Sequence, residues 1–200
     1  MKGRILNWAR TGIMFDLKNI DKNWTLFLDR DGVINHEKDD DYINTWEEFV
    51  FYEGVREAIQ LFSKKFGIII IVTNQRGVGR GVTKKEELEN IHQQMIGEIE
   101  KSGGRIDALY YCTDIDDSST DRKPNPGMGL RAQLDFPGID LNRSVMVGNN
   151  LSDMIFGRNL GAHTVFLTTT HPDFDRNDKR IDVVYDSLHS FAHALSAFHP

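Results

Sequence analysis

Two hundred residues, 40% hydrophobic and 27% charged with a formal net charge of −6, are the composition of one ordinary globular domain. The acidic balance disfavours a general nucleic-acid binder, which needs a basic face, while leaving room for a small, locally basic phosphate site, and no apolar run approaches the roughly 18 residues that cross a membrane. A single cysteine, Cys112, allows no internal disulfide and suits a reducing compartment. With no apolar stretch long enough for a signal peptide in residues 1–10, a cytoplasmic monomer is expected.

Residues 1–24 lack clean periodicity and are expected to form an N-terminal arm, with residues 25–200 a single domain. The first strong strand signal, 26–28, runs into Asp29-Arg30-Asp31-Gly32-Val33. An acidic loop at 36–42 leads to an aromatic packing segment of Trp46, Phe49, Val50 and Phe51. Val55, Ala58, Ile59 and Phe62 then fall at i, i+3, i+4 and i+7, which predicts a helix over 54–66 stopped by Gly67. The continuous β-branched run 68–72 predicts a strand buried on both faces. Thr83 with Glu86 three residues on reads as a capping box, opening a helix to about Lys101. A strand at 108–112, a polar loop at 114–121 and a helix from Pro126 or Gly127 to Asp135 follow. Next come a strand at 144–147, a helix at 152–160 closed by Gly161, and strands at 165–167 and 183–185. The last helix begins at Ser187, with an apolar face of Leu188, Phe191, Ala192 and Leu195. Regular alternation of strand and helix predicts a parallel α/β sheet flanked by helices on both faces, with ligands at the carboxyl ends of the strands.

Four polar motifs fall at such strand ends. In Asp29-x-Asp31 both side chains leave the same side of an extended backbone and repel unless a cation or a proton compensates. One carboxylate could attack an electrophile while the other handles protons, with a hard divalent cation between them. The alternative is a strand followed by a polar turn. Thr73-Asn74-Gln75-Arg76-Gly77 offers a hydroxyl and backbone N–H groups as a phosphate cradle, or a plain strand-end turn. Arg122-Lys123-Pro124-Asn125-Pro126-Gly127 sets two cations before a helix start, and reads equally as a solvated basic turn. Gly148-Asn149-Asn150-x-x-Asp153 could bind a cation or fix a lysine, or simply cap a helix. Together they form a complete kit for phosphoryl transfer.

These residues resemble the haloacid dehalogenase superfamily of aspartate-nucleophile phosphatases over roughly residues 25–170. They are most similar to the branch containing D,D-heptose 1,7-bisphosphate phosphatase and the histidinol-phosphatase domain. The matching stretches are 28–35, Thr73-Asn74-Gln75-x-Gly77-Val78-x-Arg80-Gly81 and Arg122-Lys123-Pro124-x-Pro126-Gly127-Met128. The resemblance implies a Rossmann-like core with almost no cap domain and a small sugar phosphate as substrate. It makes Asp29 the nucleophile and Asp31 the acid and base, with Thr73 and Lys123 holding the transferring group. Mg²⁺ would sit on Asp29, the Asp31 carbonyl and Asn149, with Asp153 a further metal-site acid. Asn74, Gln75, Arg122 and Tyr42 become candidates for substrate contact.

Three departures stand out. The fourth motif of this family usually begins Gly-Asp, so Asn149 offers a carbonyl oxygen but one charge fewer beside a hard dication. One thiol cannot build the Cys-rich zinc loop frequent in this branch, so no structural zinc is expected. Arg76 replaces a usually small residue; it could contact a second anionic group, but the favoured expectation is that it points to solvent. Elsewhere, His189 and His193 at i, i+4 have no third ligand nearby in sequence and read as a solvated face. His92 gets no role, the acidic run 39–41 reads as a solvated loop, and Cys112 as a packing residue. Rival readings are a histidinol-phosphate phosphatase, a nucleic-acid 3′-phosphatase and a phosphate-binding relative disabled through Asn149.

Overall fold

The computed structural model describes residues 15–38, 41–175 and 178–197. Its strands are β1 (Thr25–Leu28), β2 (Ile68–Asn74), β3 (Ala108–Cys112), β4 (Ser144–Gly148), β5 (His163–Leu167) and β6 (Val183–Tyr185). Its helices are α1 (Val55–Lys65), α2 (Arg76–Gly79), α3 (Lys85–Lys101), α4 (Gly127–Asp135), α5 (Leu151–Leu160) and α6 (Leu188–Ser196). The strands form one parallel sheet in the order β3-β2-β1-β4-β5-β6.

Strand alternation divides the core into two layers. Leu26 and Leu28 of β1 and Ile69 and Ile71 of β2 face α1, α3 and α6, meeting Ile59, Phe62, Met95 and Phe191. Phe27, Ile70, Val72 and Met146 point the other way, onto Met128 and Ala132 of α4 and Phe156 of α5. Burial on both faces is why these strands read as unbroken apolar runs. The chain steps from β1 outward to β3, then returns to the other side of β1 as β4. The residues following β1 and β4 therefore flank the switch point of the sheet, where such folds bind ligands.

The expected elements form, with local corrections. Thr83 is not the N-cap of its helix: Lys84 precedes α3, and the Thr83 hydroxyl instead donates to Asn44 Oδ1 at 2.6 Å. The stretch after β2 folds into the single turn α2 rather than an open loop. β2 runs on to Asn74, so Thr73 and Asn74 are set rigidly by sheet pairing with Tyr111 and Cys112. Of the N-terminal segment, Phe15, Leu17, Ile20 and Trp24 are buried in the core of the domain. Asp39 and Asp40 of the acidic run lie outside the described residues.

Candidate active site

The Asp29 backbone N–H donates to Val147 O at 3.0 Å, so the pairing of β1 with β4 carries this residue to the very edge of the sheet. Its Oδ1 accepts from the Arg30 N–H at 2.7 Å and from Lys123 Nζ at 2.8 Å. Lys123 is buried and reaches a second carboxylate, Asp153 Oδ1, at 2.7 Å. Asp153 Oδ2 accepts from the Asn150 N–H at 3.0 Å, closing a capping box at the start of α5. Both Asp153 oxygens are thus engaged by protein groups, and the motif serves to fix the lysine and cap the helix together. Asn74 acts from the other side, accepting from Lys123 N and donating to Lys123 O, each at 3.0 Å. Asn74, expected to touch substrate, has its amide engaged by the Lys123 backbone and braces the lysine.

Asp31 sits in a ring of donors. Arg30 grips it through Nε and Nη2, at 3.1 and 2.7 Å to Oδ1 and 2.9 Å to Oδ2. Asn35 Nδ2 donates at 2.9 Å and Gln75 Nε2 at 2.8 Å. Gln75 Nε2 also donates to Thr73 Oγ1 at 2.9 Å, leaving the Thr73 hydroxyl hydrogen free to donate elsewhere. Gln75 therefore links the hydroxyl to the second carboxylate rather than reaching outward. Behind Arg30 lies a residue to which the sequence assigned nothing: His92 is buried, with Nε2 3.2 Å from Arg30 Nη1. Burial and the adjacent guanidinium push the His92 pKa down to about 3, so the ring is neutral and Nε2 accepts from Arg30.

The two motif acids are driven apart. Burial, then the charge of Asp153, raise Asp29 to about 7 despite Lys123. Burial acts upward on Asp31 too, but Arg30's charge and the hydrogen bonds of Arg30, Asn35 and Gln75 hold it below the usual range. Three buried or half-buried carboxylates thus face two cations, and the cluster has room for another positive charge. Asn149 aims at it. Its side chain is buried, Nδ2 donates to Thr170 Oγ1 at 2.7 Å, and Oδ1 has no partner. Gly32 makes this approach possible. It lies at φ +76°, and a Cβ there would fall 2.0 Å from Asn149 Nδ2. An orphaned amide oxygen beside an under-compensated carboxylate pair is a donor set suited to a hard divalent cation. Glu37, which hydrogen-bonds with Thr170 and Asn149 and is raised by burial and by Asp31, stands beside it. Nothing in the sequence marked Glu37 or Thr170, which reach the site on loops.

At the rim, Arg76 does not point to solvent. Its Nη2 donates to Asp117 Oδ1 at 2.5 Å and to Ile115 O at 3.1 Å, and Arg122 Nε donates to the same Asp117 oxygen at 2.9 Å. Arg76 Nε and Arg122 Nη1 are buried without partners. Tyr42 lies over α2: its ring packs on Gly77 and its hydroxyl accepts from Arg80 Nη1 at 2.9 Å.

Comparison with known proteins fits this geometry. A HAD-hydrolase-like family model matches residues 120–191. The D-glycero-alpha-D-manno-heptose-1,7-bisphosphate 7-phosphatase of Burkholderia mallei is 40% identical over 154 residues, covering 73% of this chain and 80% of its own. The D-glycero-beta-D-manno-heptose-1,7-bisphosphate 7-phosphatase of Vibrio cholerae is 35% identical over 179 residues, covering 85% and 95%. The crystal structure of D,D-heptose 1,7-bisphosphate phosphatase from B. bronchiseptica, complexed with magnesium and phosphate, superimposes with a TM-score of 0.78. It is 26% identical, and the match covers 87% of this chain and 98% of that one. The fold and the paired aspartates are those of a phosphatase, and the chain belongs to the haloacid-dehalogenase-like hydrolases, in the branch of the heptose-1,7-bisphosphate phosphatases. Among the described residues, no helix is long and apolar enough to cross a membrane.

Proposed function

We propose that this chain is a Mg²⁺-dependent phosphatase that removes one phosphate from a small sugar bisphosphate of the heptose 1,7-bisphosphate kind, through an aspartyl-phosphate on Asp29. The observation that carries the reading is the pair of Asp29, held by Lys123 at 2.8 Å, and Asp31, held in the Arg30 fork two residues away. Support for the substrate class comes from the relatives at 31–40% identity that carry that activity in their names.

Asp29 attacks phosphorus in line, forming an Asp29–phosphorus bond as the bond to the sugar oxygen breaks. Asp31, ionised at rest, takes a proton from solvent and passes it to that leaving oxygen. Water then attacks phosphorus and gives its proton to Asp31, and the bond to Asp29 breaks. The Arg30 fork favours the ionised Asp31 that this second step needs. Lys123 and the Thr73 hydroxyl hold the phosphoryl oxygens, with little covalent work beyond positioning and charge neutralisation. The Asp29 carboxylate, the Asp31 backbone carbonyl and Asn149 Oδ1 would hold Mg²⁺, and Asp153 positions Lys123 instead. The ion would neutralise charge between nucleophile and phosphate. Arg76 and Arg122, with unpartnered N–H groups, are suited to the substrate's second phosphate. The enzyme acts as a cytoplasmic monomer on a free metabolite, with no nucleic-acid or membrane partner.

Phosphate release tests this. The panel is both anomers of heptose 1,7-bisphosphate, histidinol phosphate and a 3′-phosphorylated oligonucleotide, with and without Mg²⁺. Mg²⁺-dependent turnover of a heptose bisphosphate is expected. Turnover of the oligonucleotide alone would overturn the substrate class. Activity that appears only in Asn149→Asp would identify a scaffold disabled at its metal site.

A further inference from the structure

Away from the strand-end site, α1 and α6 pack side by side and bring together three ligating side chains. His189 and His193 are four residues apart on α6, so their imidazoles leave one face of the helix. Glu57, in the first turn of α1, meets them from the neighbouring helix. The two Nε2 atoms are 2.9 Å apart. Glu57 Oε2 lies 3.4 Å from His189 Nε2, and Oε1 lies 3.6 Å from His193 Nε2. The rings stand edge to face, with centroids 4.3 Å apart. His189 is seated against Gly54, where a Cβ would fall 2.5 Å from its Cδ2, so the ring occupies space that only glycine leaves open. Read from sequence, the histidine pair lacked a third ligand. The packing of α1 on α6 supplies one.

We propose that Glu57, His189 and His193 form a second metal site, distinct in chemistry from the Asp29 centre, for a borderline divalent transition ion such as Zn²⁺. A tetrahedral Zn²⁺ with ligand bonds of about 2.0–2.1 Å sets neighbouring donor atoms about 3.3 Å apart. The observed separations, 2.9 Å between the two Nε2 atoms and 3.4 and 3.6 Å from them to the two Glu57 oxygens, bracket that value, and one ligand atom from each residue lies within 4.8 Å of the others. Two imidazole nitrogens and one carboxylate oxygen suit Zn²⁺, Ni²⁺ or Cu²⁺, whereas Mg²⁺ prefers an octahedral oxygen shell. Exposure of the cluster leaves a fourth position to water. Neighbouring Arg56 is turned to Glu98, at 3.6 Å, and its charge is compensated there. A bound ion would cross-link the first turn of α1 to α6 and pin the C-terminal helix.

The test is calorimetric titration of the tag-free chain with Zn²⁺ in the presence of excess Mg²⁺, which keeps the Asp29 centre out of the readout. Saturable one-to-one binding is expected, weakened at least tenfold or so in His193→Ala and in Glu57→Gln. A Tm rise of roughly 5 °C or more at hundredfold saturation is expected in the parent and not in the variants. All three side chains are on the surface, so the variants should keep the parent's metal-free Tm and phosphatase activity. Absence of Zn²⁺ binding in the parent, or undiminished binding in a His189→Ala/His193→Ala double variant, would overturn the proposal.

Discussion

Replacing Lys123 with Met removes the cation that holds Asp29 and Asp153 together. The side chain is 2% exposed, with contacts of 2.8 and 2.7 Å. At an effective dielectric constant of about 20, each contact has a gross Coulomb energy of roughly 6 kcal/mol. The cost of taking an ammonium and two carboxylates out of water offsets most of it, and removing one partner of such a buried cluster typically costs about 3–5 kcal/mol. Met fills much of the same volume, so the cavity contribution is small. With a urea slope near 2 kcal/mol/M, the midpoint should fall by about 2 M at alkaline pH. The pH dependence has a definite sign. Asp29 already titrates at about 7 with the lysine present, and without it must titrate higher. An acid raised above its unfolded value regains stability as it takes up a proton, so the variant's deficit should shrink from about pH 9 toward pH 7 and level off below. Asp153→Asn in the same background keeps an acceptor for the Asn150 N–H while removing one charge, and should recover part of the loss. The assay is urea unfolding followed by circular dichroism at both pH values. A deficit under about 1 kcal/mol, or one that grows toward neutral pH, would refute the reasoning.

Three further outcomes are expected. His92→Ala leaves Arg30 Nη1 without its acceptor and should lower kcat by roughly tenfold with little change in KM, whereas His92→Gln, which keeps an acceptor, should recover most of it; an unchanged kcat in the alanine variant would dismiss the ring as a positioning residue. Asp182 is half-buried, which acts upward, yet hydrogen bonds from His163 and Arg158 carry it down to about 2. Such a depressed acid contributes on the order of 2 kcal/mol, fully present above its unfolded pKa of about 4 and lost as pH falls through about 2. Asp182→Asn should therefore lower the neutral-pH Tm and flatten the acid limb of the stability curve, and an acid limb as steep as the parent's would count against this. Arg76→Ala should raise KM about tenfold for a sugar bisphosphate and little for the monophosphate; equal effects on both, measured by phosphate release, would show that Arg76 serves only to anchor Asp117.

The fold was legible where one physical rule dominated. The run 68–72 could only be a doubly buried strand, and Val55, Ala58, Ile59 and Phe62 could bury together only on a helix. The strand-end motifs were legible because a chain rarely ends apolar runs in closely spaced acids without use for them. What stayed hidden depends on contacts distant in sequence. Asn74 and Gln75 were read as facing substrate, yet their amides are drawn inward by Lys123, Asp31 and Thr73. Local spacing put Thr83 at a helix cap, but Asn44 from another loop takes its hydroxyl. His92 borders Ile91 on α3, and only the fold brings Arg30 beside it. Arg76 read as solvent-facing because Asp117, its partner, sits beyond β3.

The central claim is that Asp29 carries the phosphoryl group. The direct measurement is a rapid acid quench of the parent and of Asp29→Asn after mixing with Mg²⁺ and a radiolabelled sugar bisphosphate. The account predicts label on the peptide containing Asp29, removable by hydroxylamine, in the parent alone. Turnover without such label, or undiminished phosphate release from Asp29→Asn, would contradict it.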